Sequence, residues 1–113
     1  MKMYKEYLEE LHNGKSIVSN NTGFASYHIR NFENGKECYI EDIYVVKEHR
    51  NSRAAHALAD EVVIIAKQQN CTILTGSVIP SANNAEISLK MMLSYDFKLL
   101  NSNENVIWFY KEI

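Results

Sequence analysis

The chain has 113 residues, of which 46% are hydrophobic, so it can bury one core but is too short for two domains of typical size. A formal charge of −2 provides no positive excess to hold nucleic acid or an anionic membrane, and no apolar run approaches the roughly 20 residues of a membrane span. Cys38 and Cys71 stand singly, which favours neither a zinc site nor a disulfide framework. We therefore expect one domain over residues 1–113, without metal, in a reducing cytoplasm.

The first half of the chain predicts a helix followed by antiparallel strands. Apolar residues recur at helical spacing from Tyr4 to Leu11, and the pattern ends at the helix-terminating pair Asn13-Gly14. Asn34-Gly35 predicts a tight turn, because both residues tolerate positive φ. The strands predicted in this half are 16–19, 23–32 and 37–46.

The second half changes to a helical period and then back to short strands. Apolar residues from Ala55 to Ala66 share one face of a central helix that continues to about Gln69. A strand over residues 71–79 follows and ends at Pro80. A second helix over 86–94 is expected to turn Ile87, Met91 and Met92 inward. The last predicted strands are 97–100 and 106–110.

This order of elements predicts an α/β (α+β) fold with a mixed, mostly antiparallel central sheet and helices on both faces. The strand over 37–46, the central helix and the strand over 71–79 should form a right-handed βαβ unit. That unit is the expected core of a binding site.

The junction between the third strand and the central helix predicts a phosphate site. The first amides of a helix have no intrahelical partner and lie at the positive end of its dipole. Arg50 and Arg53 add fixed positive charge just before the helix, where basic residues are otherwise unfavourable. A pyrophosphate would suit this junction.

These residues carry a resemblance to a known family. The segments Tyr39–Val45 and Arg50–Ala55 resemble the acetyl-CoA-binding core of GNAT acetyltransferases, whose loop reads Arg/Gln-x-x-Gly-x-Gly/Ala. Arg50 matches the first position and Ala55 the last, whereas Arg53 replaces the middle glycine. Since glycine lets backbone amides approach a pyrophosphate closely, Arg53 must point outward or contact the phosphates itself.

The resemblance implies acetyl-CoA as co-substrate and a GNAT-like sheet. It implies that the pantetheine arm pairs with the third strand and that the pyrophosphate lies on the loop and helix start. The cofactor-binding residues implied in this way are Ile43, Tyr44, Val45, Arg50, Asn51, Ser52, Arg53, Ala54, Ala55, His56 and Asn84.

A second segment is similar to the family pattern Asn-x-x-Ala…Tyr-x-x-x-Gly-Phe. Asn84 and Ala85 lie in its first part, and Phe97 ends it, with Asp96 in place of the glycine. Met92 stands where the family often has a general-acid tyrosine, and a thioether cannot transfer a proton. Tyr95 is the nearest candidate donor in the sequence, although a tyrosine at a helix end is also a common packing residue.

Two adjacent carboxylates, Glu41 and Asp42, interrupt an otherwise apolar strand. Alternation along a strand predicts that they face opposite sides of the sheet. The resemblance implies that Glu41, or Asp42 or a water, accepts the proton of the acceptor amine. The alternative is a solvated strand face with cross-strand partners.

Two functions are compatible with these patterns. One is an N-acetyltransferase that moves an acetyl group from acetyl-CoA to an amine of a small molecule or protein. The other is a catalytically inactive protein of the same fold that binds CoA or a macromolecular partner. The aromatic strand over 106–110, expected at a sheet edge, also suggests a homodimer.

Overall fold

The computed structural model describes residues 16–50 and 52–113, which form one six-stranded sheet packed against two helices. The helix predicted between Tyr4 and Leu11 lies outside the described residues. The other predicted elements are present, with ends that differ by a few residues. In chain order they are β1 (Ser16–Asn20), β2 (Gly23–Phe32), β3 (Gly35–Val45), a 3₁₀ turn (Lys47–His49), α1 (Ala54–Gln68), β4 (Ile73–Val78), α2 (Ala85–Ser94), β5 (Lys98–Asn103) and β6 (Val106–Glu112).

The strand order β1-β2-β3-β4-β6-β5 confirms the mixed, mostly antiparallel sheet. Of the strands in residues 16–50 and 52–113, only β3 and β4 pair in parallel, and α1 connects them as the predicted βαβ unit. The C-terminal strand β6 lies between β4 and β5, so its predicted position at a sheet edge is wrong. The edge strands are β1 and β5.

The parallel ladder between β3 and β4 is short. Its last pair is Tyr39 with Thr75, although β3 continues to Val45 and β4 to Val78. Among the described residues, no ladder pair joins the two strands beyond that point. We call the gap between residues 40–45 of β3 and residues 76–78 of β4 the opening.

The helices close one face of the sheet with unequal amounts of buried surface. Helix α1 buries Leu58, Val62 and Ala66, as its period predicts, together with Ala54 and Ala59. Helix α2 buries only Met92, and Leu89 and Met91 pack partly against the core. The predicted inward position of Ile87 is wrong, because this side chain is 65% exposed. No helix in the described residues is both long and apolar enough to cross a membrane.

Gly23 is needed for the close approach of β2 to the end of β3. A Cβ at this position would lie 1.8 Å from the carbonyl oxygen of Tyr44. Any larger residue would push apart the strand ends, and the loop that follows β3 would move with them.

Candidate functional site

The strand β3 directs backbone groups into the opening. The Val46 N–H donates to the Thr22 carbonyl over 2.7 Å, so it points toward β2. Because backbone groups alternate along an antiparallel ladder, those of Ile43 and Val45 point away from β2 and toward the opening. In agreement with this, Arg50 Nε donates to the Val45 carbonyl over 3.0 Å. The opening is therefore edged by strand amides able to pair with an extended ligand.

The loop after β3 leads the chain into an uncapped helix start. The Ser52 hydroxyl donates to the His49 carbonyl and tightens this loop. The first hydrogen bond of α1 runs from the Ala57 N–H to the Arg53 carbonyl over 3.1 Å, and no side chain caps the helix. The amides of residues 54–56 thus lack intrahelical partners and are donors for an anion.

Charge at this helix start is positive. Arg53, the N-cap residue, adopts the left-handed conformation with φ 64°, and the first turn of α1 contains no acidic residue. Arg50 is exposed, and its guanidinium carbon lies 5.8 Å from the ring centroid of Tyr44. With Nε bound to the Val45 carbonyl, the other N–H groups of Arg50 remain for phosphate oxygens.

The two carboxylates lie at a β-bulge. Ser26 pairs with Asp42 and Tyr27 pairs with Ile40, so Glu41 is the extra residue in β3. Ile40 and Ile43 both pack against the core, and Glu41 and Asp42 between them are both exposed. The expectation that these carboxylates face opposite sides is therefore wrong, because the bulge interrupts the alternation. Counted from the two isoleucines, both lie on the face opposite α1.

The predicted proton donor Tyr95 is hydrogen-bonded to helix α1. Its hydroxyl donates to Asp60 of α1 over 2.5 Å, and burial, together with this bond to a carboxylate, raises the pKa of Tyr95. Lys111 Nζ donates to the Tyr95 carbonyl over 3.1 Å and lies 4.2 Å from the ring centroid. Tyr95 thus joins α1, the end of α2 and β6.

Met92 fills the helix side of the opening. A Cβ on Gly76 would lie 2.5 Å from Met92 Cε and 3.9 Å from the Ile40 carbonyl oxygen. The thioether therefore occupies the place where β3 and β4 begin to separate. It provides an apolar wall and no exchangeable proton.

The two cysteines are buried and are free thiols. Burial raises the pKa of Cys38 to about 12 and also raises the pKa of Cys71. The thiolate is the nucleophilic form of cysteine, and burial disfavours it at both positions. Neither thiol is suited to form a covalent intermediate near neutral pH.

The sequence reasoning missed a polar cluster on the face opposite α1, which we call the Tyr39 cluster. The Tyr39 hydroxyl and Ser77 Oγ are 2.8 Å apart, across the narrow end of the opening. Strand alternation alone could have placed these side chains on one face, but not their contact. The cluster consists of His28, Arg30, Glu37, Tyr39, Thr75, Ser77 and Trp108.

The remaining predicted site residues that the structure describes lie at the same edge of the sheet. Parallel strands β3 and β4 both end there, so the starts of α1 and α2 meet this edge. Asn84 is the N-cap of α2, in the left-handed conformation with φ 67°. His56 Nε2 lies 2.9 Å from Ser94 Oγ and joins the two helices. Asn51 lies outside the described residues.

Comparison with known proteins agrees with this geometry. The family described as "Acetyltransferase (GNAT) family" matches residues 3–90. No curated protein matches the sequence significantly. The fold is similar to that of a protein assigned to the GNAT family from Desulfovibrio desulfuricans, with a TM-score of 0.75 and 16% identity over 98% of this chain and 79% of the other.

Two further solved structures contain the cofactor. PaiA N-acetyltransferase from Thermoplasma acidophilum, in complex with coenzyme A, has a TM-score of 0.70 and 14% identity over 99% of this chain and 70% of the other. A GNAT family acetyltransferase from Elizabethkingia anophelis, with acetyl-CoA bound, has a TM-score of 0.69 and 18% identity over 96% and 83%. At these identities the likeness concerns the fold.

Proposed function

Because the chain belongs to the GNAT acetyltransferase family, we propose that it is an N-acetyltransferase that uses acetyl-CoA and an amine acceptor. The observation that carries this proposal is the opening between β3 and β4, which leads directly to the uncapped, positively charged start of α1. A long ligand with an anionic centre and an extended amide arm suits both parts at once.

The residues present fit this co-substrate. The pyrophosphate would accept hydrogen bonds from the amides of residues 54–56, with Arg50 and Arg53 supplying charge. Ile43 and Val45 would pair with the amides of the pantetheine arm. Ser52, Asn84 and the ring of Tyr44 line the same edge, and we assign Asn51 to the loop on sequence grounds alone.

Acetyl-CoA supplies an activated thioester when bound, and the chain's own groups would position the amine for direct attack. A backbone N–H of Ile43 or Val45 would hold the carbonyl oxygen, where negative charge develops. Glu41 is proposed as the base, with Asp42 or a water held by it as the alternative. The buried cysteines disfavour an acyl-cysteine route.

A second candidate is a binding protein that has lost transfer activity. Met92 motivates it, because the helix wall of the opening presents a thioether rather than a proton donor. Arg53 motivates it further, since a side chain stands where the family has glycine.

The test combines calorimetry with a CoA-release assay over a panel of amines. The parent should bind acetyl-CoA and release CoA with at least one amine. Arg50→Glu should weaken binding by about 1 to 3 kcal/mol, through lost charge-assisted bonds and repulsion. Lys67→Glu, at the exposed far end of α1, is the matched control and should bind normally.

The outcomes separate the two candidates. Binding without turnover by any amine favours the inactive protein. Equal affinity in parent and a folded Arg50→Glu variant contradicts the proposed cofactor site.

We also propose that the functional unit is a homodimer. The edge strand β5 is exposed along its length, and Leu99 and Leu100 are 62% and 52% exposed. An open strand edge with apolar side chains is shielded when two copies pair.

A further inference from the structure

We propose that the hydroxyl pair of Tyr39 and Ser77 supplies the proton to the thiolate that leaves during acetyl transfer. This inference rests on the proposed function, because it concerns a step of that reaction. It assigns Ser77 as the group that touches the sulfur and Tyr39 as the source of the proton behind it.

The hydroxyl pair lies where β3 and β4 separate. Tyr39 belongs to the last ladder pair between β3 and β4, and Ser77 lies two residues beyond the partner Thr75. The 2.8 Å contact between the two hydroxyl oxygens therefore crosses from β3 to β4 just beyond the point where the backbones separate. The pair closes the narrow end of the opening.

The hydroxyl pair lies close to the proposed base along the strands. Glu41 and Ser77 are each two residues past the last ladder pair, Tyr39 with Thr75, so both lie at the level just beyond that pair. Glu41 is the proposed base. A pyrophosphate at the start of α1 would point the thioester end of the arm toward this same level. A proton acceptor and a proton donor thus flank one point.

The phenol of Tyr39 is fixed in place by the side chains around its ring. The Arg30 guanidinium carbon lies 4.6 Å from the Tyr39 ring centroid, and the rings of His28 and Trp108 lie 5.4 and 6.0 Å away. Arg30 Nε is in turn 3.1 Å from a Glu37 carboxylate oxygen. The other Glu37 oxygen accepts from the Thr75 hydroxyl over 2.8 Å, so the surround itself is fixed. The phenol cannot turn away without breaking these contacts.

The other candidate proton donors near the opening are less suitable than the hydroxyl pair. Met92, on the helix wall of the opening, carries no exchangeable proton. The Tyr95 hydroxyl already donates to Asp60. Either hydroxyl can donate across this contact, and when Tyr39 donates to Ser77 Oγ, the Ser77 hydroxyl proton is available to a group in the opening.

The proton balance of the step is complete. The amine nitrogen bonds to the acetyl carbon, and the carbon–sulfur bond breaks with its electron pair on sulfur. Ser77 gives its proton to the sulfur and takes the proton of Tyr39, while the proton lost by the amine goes to the base. Water then restores the Tyr39 proton, and the Arg30 guanidinium over the ring stabilises the transient phenolate.

The test is the pH profile of kcat for CoA release with an amine that the parent acetylates. A donor tyrosine acts only in its protonated form, so kcat should fall at alkaline pH, where the phenol loses its proton. Tyr39→Phe should lower kcat by roughly 10²- to 10⁴-fold, abolish the alkaline fall and leave KM for acetyl-CoA almost unchanged. The charged and titratable described groups on the face of Tyr39 are Arg30 and His28 from β2, Glu37, Glu41 and Asp42 from β3, and Tyr110 from β6.

Matched variants separate a chemical role from a structural one. Ser77→Ala should lower kcat as Tyr39→Phe does, and Ser77→Thr should retain most of the activity because it keeps the hydroxyl. Tyr110→Phe removes another phenol from β6 and should leave the profile as in the parent. Tyr95→Phe tests the rival donor.

Three results would overturn the inference. They are a Tyr39→Phe variant with nearly the parent's kcat, an alkaline fall that persists in that variant, and an alkaline fall lost only in Tyr95→Phe. If Tyr39→Phe unfolds, Ser77→Ala and Ser77→Thr decide the question. A parent that binds acetyl-CoA but acetylates no amine would instead remove the proposed function, on which this step depends.

Discussion

The methyl group of Met92 lies 2.5 Å from the position that a Cβ on Gly76 would occupy. This contact joins α2 to β4 at the start of the opening, and only glycine leaves room for it. We predict that Gly76→Ala lowers the free energy of unfolding by about 1 kcal/mol, because the flexible tip of Met92 must move out of its packed position. Urea denaturation measures this change.

A double-mutant cycle is the control. Met92→Ala alone should cost about 2 to 5 kcal/mol through the cavity that it leaves. In that background Gly76→Ala should cost little, because the clash is gone. Strictly additive costs would show that the two residues do not limit each other.

Asp96 carries a predictable backbone cost. It has φ 66° at the end of α2, where the Phe97 N–H bonds to the Met92 carbonyl and the Asp96 N–H bonds to that of Leu93. This is a Schellman motif, in which the left-handed residue is usually glycine. Asp96→Gly should therefore raise the free energy of unfolding by about 0.5 to 1 kcal/mol.

Asp96→Ala is the matched variant, since alanine keeps the Cβ and loses the polar side chain that makes this conformation tolerable. It should be less stable than the parent by thermal denaturation. An alanine variant as stable as the glycine variant would contradict the assignment of strain to this residue.

Asp96 and Arg53 show which parts of the structure can be predicted from the sequence. Asp96 and Arg53 stand where the family pattern has glycine, and both adopt the left-handed backbone that a glycine would supply. The resemblance therefore located the loop and helix end correctly. The side-chain periods located the strands and α1, because burial there follows a single face.

The pairing of strands that are distant in the chain could not be predicted from the sequence. The bulge at Glu41 depends on the register with β2, and nothing in the local pattern of β3 marks it. The interior place of β6 likewise depends on a strand order set by distant segments. The prediction that Ile87 points inward was wrong because α2 buries a narrower face than its apolar content suggests.

The buried thiol of Cys38 predicts a loss of stability at alkaline pH. Burial raises its pKa to about 12, whereas a thiol in the unfolded chain ionises near pH 8.5. Between these values the unfolded chain binds fewer protons than the folded one, so stability falls as pH rises. From this group alone we expect a loss of roughly 2 kcal/mol between pH 7 and pH 10.

Denaturation in the presence of a reductant at both pH values measures this loss. Cys38→Ala should show a clearly smaller decline, because one of the groups with a raised pKa is removed. The remaining decline should come from Cys71 and Tyr95, whose pKa values are also raised by burial. Equal declines in parent and variant would exclude Cys38 as the main source.

The edge strand β5 provides the test of the homodimer. Sedimentation at micromolar concentration should give a dimer for the parent and a monomer for Leu99→Lys, because a charge on the edge opposes pairing. Ile64→Lys replaces another exposed apolar side chain, on α1, and should remain dimeric. A parent that sediments as a monomer would contradict the dimer.

The last prediction concerns Glu41 as the base. The bulge turns Glu41 and Asp42 toward the same face, so position alone does not choose between them. Glu41 is one residue nearer than Asp42 to the last ladder pair, where the hydroxyl pair of Tyr39 and Ser77 lies, and this favours Glu41. Glu41→Gln should keep the affinity for acetyl-CoA and lower kcat by roughly ten- to ten-thousand-fold, the range expected when general-base catalysis is lost.

The pH profile and Asp42→Asn complete this test. In the parent, the rate should rise with pH through an ionisation of the base or of the substrate ammonium, and Glu41→Gln should keep only the contribution of the substrate. Asp42→Asn should have the smaller effect of the two. If Glu41→Gln keeps full activity and the same profile, then an already neutral amine, or a water held by Asp42, is the better account. That result would leave the proposed acetyl transfer in place and remove Glu41 from it, because the proposed binding of the co-substrate at the opening and the helix start does not involve this carboxylate.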